Sequence, residues 1–203
     1  MAPYIIVSII AYFLGSISFS VIFSRKFAGF DVRDKGSRNA GATNVLRTAG
    51  KKIAILTLVC DILKGVVAVL LAMLAGAIWK MDSTILEYLS GFFAILGHTF
   101  PIFFEFRGGK GVATALGVLI TINWQIGLIC LLFAVIIIAI TRMVSVGSIL
   151  AAILYPILTV FIEQVKFWPT IISILIALLV IFNHRENLKR IKNGTENKLS
   201  FKK

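Results

Sequence analysis

Between two stretches apolar enough to lie in lipid, residues 97–114 bring His98, Glu105, Arg107, Lys110 and the glycines Gly97, Gly108, Gly109 and Gly111 into one run. Pro101 predicts an end or a bend in the preceding helix. Gly108-Gly109-Lys110-Gly111 then leads straight into an apolar segment of helical length, which puts backbone N–H groups, a positive dipole end and an ammonium in one place. That combination suits an anion, a phosphate above all. The same residues also fit a tight turn whose lysine reaches for the interface. It is not a Walker P-loop, because that motif's spacing and its Lys-Ser/Thr ending are absent.

A second polar cluster runs Gly36-Ser37-Arg38-Asn39-Ala40-Gly41-Ala42-Thr43-Asn44-Val45-Leu46-Arg47. Its glycines permit close backbone approach to a ligand, and its short side chains supply hydrogen bonds. If the part after Ala40 is helical, Thr43, Asn44 and Arg47 lean toward one side, where Arg47 can grip an oxyanion in bidentate fashion. A solvated loop whose arginines face lipid phosphates is the competing reading. The third cluster, Asn183-His184-Arg185-Glu186-Asn187, follows an apolar span and opens a basic tail. As a helix it places His184, Asn187 and Ile191 on one face and Arg185 and Lys189 on another. A tail of that kind is also an orientation signal.

Within an apolar segment, Asp61 and Lys64 stand three apart with Gly65 following. Each charge alone near the bilayer centre costs on the order of 2.5–3.5 kcal/mol, so a mutual pair facing the bundle is expected, with snorkelling to the inner interface as the other outlet. His98 has no His or Cys at ligand spacing and reads as a hydrogen-bonded packing residue rather than a metal ligand. Cys60 and Cys130 lie in apolar segments as small buried hydrophobes, so no metal site is expected.

The elements that must position these residues are membrane helices. Of 203 residues 59% are hydrophobic and 15% are charged, with a mean hydropathy of +0.96, which excludes an ordinary soluble domain. The net charge of +12 sits in loops between apolar runs, where orientation and anionic headgroups account for it without nucleic acid. The Met-Ala-Pro-Tyr start lacks the basic region and cleavage site of a signal peptide, so the first span is expected to remain. Apolar runs cover 4–23, 53–78, 84–104, 112–140, 144–162 and 168–182. The fourth is too long for one crossing of about 20 residues. Asn123-Trp124-Gln125 predicts a turn in it, between helices of about 12 and about 16 residues.

That split gives seven spans. With the N-terminus outside, 18 of the 21 lysines and arginines then fall on the cytoplasmic side, as the positive-inside rule asks. Lys80 and Lys166 fall outside and Lys64 within a span. Six spans would send the tail to the face opposite the first loop. The expected fold is therefore an all-α integral membrane protein, a single domain over residues 1–203, with seven transmembrane helices, an extracytoplasmic N-terminus and a cytoplasmic C-terminus. By parity all three polar clusters then share the cytoplasmic face.

Four linked motifs carry a resemblance that covers nearly the whole chain. Gly-Ser-x-Asn-x-Gly-Ala-Thr-Asn followed by Arg is met at 36–47 and Asp-x-x-Lys-Gly at 61–65. Gly-His-x-Phe-Pro with Gly-Gly-Lys-Gly-Val-Ala-Thr is met at 97–114, and Asn-His-Arg-Glu-Asn at 183–187. Together they resemble the bacterial membrane acyltransferases that move an acyl group from acyl phosphate to glycerol 3-phosphate. One departure is Arg38, where the family often holds Gly.

The resemblance implies a multi-pass protein of the bacterial cytoplasmic membrane with its active site on the cytoplasmic side, forming 1-acyl-glycerol 3-phosphate in the first step of phospholipid synthesis. It implies catalytic roles for Ser37, Lys110 and His184. It implies substrate binding by Gly36, Asn39, Thr43, Asn44, Arg47, Gly108, Gly109, Gly111 and Asn187. No metal or other cofactor is called for; the partners are acyl phosphate, glycerol 3-phosphate, membrane lipids and an upstream enzyme that forms the acyl phosphate. The His-x4-Asp dyad of the commoner glycerolipid acyltransferases is missing, since no aspartate stands five residues after His98 or His184.

The expected division of labour gives the donor phosphate to Lys110, the glycine-loop amides and Ser37, and the glycerol 3-phosphate phosphate to Arg47, Thr43 and Asn44. His184 is first a ligand or orienter and second a general base. A transporter for a phosphorylated metabolite is the competing class, but such a site belongs near the midplane, often with internal repeats. Here the polar clusters gather at one face.

Overall fold

The computed structural model describes residues 1–163 and 167–199. Lys166, Lys202 and Lys203, which enter the charge argument, lie outside the described residues. Among the described residues the chain is all-α. Its helices are α1 (Ala2–Gly15), α2 (Phe19–Ala28), α3 (Ala42–Thr48), α4 (Lys51–Trp79), α5 (Thr84–Thr99), α6 (Val112–Ile122), α7 (Trp124–Thr141), α8 (Val144–Ile162), α9 (Phe167–Asn183) and α10 (Arg185–Lys192). They divide into two compact units, Met1–Ile122 and Asn123–Lys203.

In the first unit α1 packs on α4 and α5, and α4 packs on α5 and α6. Small residues make these contacts close. A Cβ on Gly15 would strike the carbonyl of Ala94, one on Gly97 that of Tyr12, and one on Gly117 that of Ile62. Lipid tails offer no less apolar a surface than leucine, so membrane helices associate through such tight packing and through buried hydrogen bonds. Ser90 Oγ donates one of these to the Ala68 carbonyl across α4 and α5 at 2.6 Å.

The first apolar run is not one helix. It breaks between Gly15 and Phe19, because carbonyls freed there find a donor outside the helix, as described below. The expected turn in the fourth run is present: α6 ends at Ile122, and the Asn123 side chain caps α7 by accepting from the N–H groups of Gln125 and Ile126 at 3.1 and 3.2 Å. In the second unit α8 packs on α7 and α9, and the chain bends by 56° between α9 and α10.

Five helical segments are long and apolar enough to cross a membrane, or six if the bent pair α9 and α10 is one span. The protein is thus multi-pass. The remaining apolar helix, α6, has 11 residues and a length of about 16 Å, roughly half the hydrocarbon thickness.

Arg38 has φ +58°, a left-handed conformation in which the Cβ crowds the backbone at a cost of about 1–2 kcal/mol. A glycine preference at this position therefore has a conformational cause. Arg38→Gly is expected to raise the thermal midpoint in detergent, with a gain of up to about 1 kcal/mol after the extra chain entropy is counted. Lys35→Gly, at an ordinary φ of −126°, is expected to lower it; a fall in both would remove the strain argument.

Candidate active site

The first loop is pinned at its start by Asp31. The carboxylate accepts from the Arg33 backbone N–H at 2.8 Å, from Arg33 Nη2 at 2.9 Å and from Arg25 Nη2 at 2.7 Å. Burial pushes this carboxyl up, but the hydrogen bonds from Arg33 and Arg25 outweigh it and hold the group at about 2. Arg33 is buried and donates through Nη1 to the Phe104 carbonyl at 2.7 Å, joining the first loop to the second. Beneath the loop Val32, Ala40 and Val45 are buried with Val21 and Ala54. A loop with its own apolar floor is a built surface rather than a solvated tether.

Asn44 shapes that surface. Its Nδ2 lies 3.0 Å from the carbonyls of Val32, Lys35 and Asn39, and its Oδ1 accepts from the Ser37 N–H at 2.9 Å. Gly36 (φ +60°) allows this, since a Cβ there would strike Asn44 Oδ1. Asn44 is buried while Arg47 is exposed, so the expected lean of Thr43, Asn44 and Arg47 to one side holds only for Thr43, half-buried, and Arg47. Ser37 is exposed and Asn39 half-buried, its Oδ1 beside Gly41.

The second loop folds back on the end of α5. The Gly108 N–H donates to the Thr99 carbonyl at 3.2 Å and the Gly109 N–H to the His98 carbonyl at 3.1 Å. The expectation that these two amides face a phosphate is corrected: the chain reversal takes both. The glycines serve close approach instead. A Cβ on Gly108 would strike the His98 carbonyl, and one on Gly109 would strike the His98 ring and the Ala40 carbonyl. The Ala40 N–H reaches the Gly108 carbonyl at 3.4 Å, so clusters 36–47 and 97–114 meet. Lys110, half-buried, is the next residue along the chain from Gly109. Gly111 (φ +83°) then opens α6, whose first-turn N–H groups have no carbonyl of their own helix to bond.

Behind the loops the expected Asp61–Lys64 pair is formed. Lys64 Nζ lies 3.0 Å from Asp61 Oδ1, both side chains being buried. Snorkelling is not the outlet: Nζ donates to the carbonyls of Gly15 and Ile17 at 2.8 Å each, at the break between α1 and α2. His98 Nδ1 lies 3.5 Å from the same Asp61 oxygen.

In the second unit His184 and Asn187 are buried and Arg185 and Lys189 exposed, as the helical reading of the tail required. His184 Nδ1 is 2.7 Å from the Val180 carbonyl. A carbonyl only accepts, so Nδ1 carries the hydrogen. The tail folds back over α10. Glu196 accepts from Asn187 Nδ2 at 2.7 Å, Ser145 Oγ at 2.9 Å and Arg190 Nε at 2.9 Å.

Sequence reasoning passed over Arg33 and Glu196. Arg33 carried a weak signal in the Asp31-x-Arg33 spacing. Glu196 stands in a polar tail without periodicity, and only the fold shows the three donors that converge on it.

A family model described as glycerol-3-phosphate acyltransferase matches residues 5–194. The glycerol-3-phosphate acyltransferase of Clostridioides difficile (strain 630) is 42% identical over 200 residues, 98% of this chain and 97% of that one. That of Coxiella burnetii (strain RSA 493 / Nine Mile phase I) is 42% identical over 197 residues, 97% of this chain and 98% of that one. Two crystal structures of PlsY (YgiH), an integral membrane glycerol 3-phosphate acyltransferase, are also similar. The glycerol 3-phosphate form gives a TM-score of 0.87 at 38% identity, over 97% of this chain and 96% of that one. The lysophosphatidic acid form gives 0.84 at 36% identity, over 97% and 95%.

Glu196 makes the folded tail sensitive to acid. Burial raises its carboxyl, but hydrogen bonds from Asn187, Ser145 and Arg190 bring it below the ordinary 4.5. The stability it contributes is fully present above about pH 4.5 and is lost as pH falls through the lowered folded value. Glu196→Gln is expected to lose about 1–3 kcal/mol at neutral pH and this part of the acid sensitivity, read by thermal unfolding across pH; a variant that melts with the wild-type pH profile would assign the effect elsewhere.

Proposed function

The chain belongs to the glycerol-3-phosphate acyltransferase family, and from that premise we propose that it acylates the sn-1 hydroxyl of glycerol 3-phosphate with acyl phosphate as donor. The products are 1-acyl-glycerol 3-phosphate and inorganic phosphate, the first step of phospholipid synthesis. The observation that supports the reading is the meeting of the two anion-seeking clusters, Ala40 against Gly108 and Gly109, the residues that lead into Lys110.

The donor is a mixed anhydride of a fatty acid and phosphate. Its leaving group is already good, so the protein's work is placement and charge stabilisation. Lys110, with the first-turn amides of α6 and Ser37, holds the donor phosphate. Arg47 and Thr43 hold the phosphate of glycerol 3-phosphate, and Asn44 and Gly36 set the backbone from which Ser37, Asn39 and Arg47 extend. Gly108, Gly109 and Gly111 act by letting the backbone approach. Placing both reactants in this way can offset several kcal/mol of the barrier, and one well-aimed donor to the developing oxyanion is worth about 10²–10³ in rate.

The sn-1 oxygen attacks the acyl carbon, the new C–O bond forms, and the bond to phosphate breaks with its electron pair leaving on phosphate. The hydroxyl proton passes to a substrate phosphate oxygen and leaves with the inorganic phosphate. His184 and Asn187, joined to the reaction through the motif at 183–187, bind and orient substrate. The reading takes residues 1–203 as one acyltransferase domain of seven crossings in the bacterial cytoplasmic membrane, N-terminus outside and active site on the cytoplasmic face. The acyl chain stays in the inner leaflet while the phosphates meet at the interface.

Phosphate release from palmitoyl phosphate by the purified protein in detergent tests the donor. Release is expected to depend on glycerol 3-phosphate and to fail in Lys110→Ala. No transfer is expected from palmitoyl-CoA; turnover of the CoA donor alone would overturn the acyl-phosphate route. For the proton, His184→Ala is expected to retain measurable turnover. A loss beyond roughly 10⁴-fold would make His184 the general base.

A further inference from the structure

Asp61, Lys64 and His98 take no part in the chemistry just described, yet all three are buried titratable groups, at 1%, 3% and 6% exposure. They come from α4 and the last turn of α5. Lys64 Nζ donates to the carbonyls of Gly15 and Ile17 and pairs with the Asp61 carboxylate, Oδ1 lying 3.0 Å away. Asp61 Oδ1 and His98 Nδ1 face each other at 3.5 Å, and neither makes a well-aligned hydrogen bond. A buried imidazole nitrogen without a polar neighbour is costly, and the Asp61 carboxylate is the group set against His98 Nδ1.

The opposite edge of the imidazole does something else. His98 Nε2 lies against Gly109, where a Cβ would collide with it, and the Ala40 carbonyl lies against the same carbon. The His98 carbonyl takes the Gly109 N–H. Gly109 is thus fixed by the ring and the backbone of one histidine, and Lys110 is the next residue along the chain. At its other end the cluster fixes the break that leads through α2 into the first loop.

We propose that Asp61, Lys64 and His98 are positioning residues: Lys64 locks Asp61, Asp61 orients the His98 ring, and the ring sets the backbone at Gly109 from which Lys110 reaches the substrate phosphate. The inference rests on the role given to Lys110 above. The cluster does not touch substrate. It determines where the ammonium stands relative to the Ser37–Arg47 loop, and a displacement of about 1 Å at such a group costs on the order of 10²-fold in rate.

The test uses two variants of the full chain in detergent. Asp61→Asn combined with Lys64→Met removes both charges at similar volume, a replacement that buried ion pairs tolerate. His98→Gln leaves the ion pair and removes the ring edge. Each is measured for thermal midpoint, for kcat and KM with glycerol 3-phosphate, and for hydrogen exchange of the amides over 108–112 in the absence of substrate. The expected result in a variant that melts cooperatively is a fall in kcat of about 10²-fold, exceeding any change in KM, with exchange at least tenfold faster over 108–112 and unchanged over 184–192. Wild-type exchange over 108–112 overturns the proposal whatever the activity does, and so does faster exchange with unchanged kcat and KM. Should the double variant fail to fold, His98→Gln decides by the same readings. A wild-type protein that releases no phosphate from palmitoyl phosphate would contradict the donor assignment, while the exchange measurement would still decide the positioning.

Discussion

A buried ammonium inside a helix bundle must be fully satisfied, and the way Lys64 is satisfied governs much of the first unit. Its two carbonyl partners exist because α1 stops at Gly15 and the chain restarts as α2 at Phe19. In a straight helix those carbonyls would be bonded four residues on, and the ammonium would be left with Asp61 alone. The break and the ion pair therefore require one another. Either one alone would leave an uncompensated polar group in a region without water, a penalty of several kcal/mol.

From that pin outward, the loops sit on their apolar floor and are joined by hydrogen bonds to backbone groups. Gly108 and Gly109 bond back to α5 through their own N–H groups, Ala40 bonds to Gly108, and Arg33 reaches the Phe104 carbonyl. Asn44 holds four backbone groups at once. Two loops joined through carbonyls and amides move together, which suits the proposed task of holding two phosphates at a fixed separation.

Much of this was legible in the sequence. Hydropathy and length gave the apolar helices, and Asn123 marked the turn between α6 and α7 because a short amide is the usual cap for a helix start. The Asp61–Lys64 pair followed from the cost of either charge alone. The tail's buried face, His184 with Asn187, followed from helical spacing. What could not be read was where each hydrogen bond goes. Asn44 and Arg47 look equally suited to a phosphate, yet only the fold shows that Asn44 turns inward under Gly36. The amides of Gly108 and Gly109 look equally available until the chain reversal takes them. The break at Gly15 was invisible because its cause, Lys64, lies 49 residues away.

The brevity of α6 bears on the lipid as much as on the protein. Its 11 residues begin directly after Lys110 and Gly111 and end just before Asn123, so these flanking polar groups stand about 16 Å apart along its axis. Hydrocarbon cannot wet either end without leaving backbone dipoles bare. If α6 is one of the seven proposed crossings, the two headgroup layers must be drawn toward each other where it meets lipid, and the protein would carry a local thinning of the bilayer with it. A crossing that short would fit a thin bilayer with less distortion than a thick one.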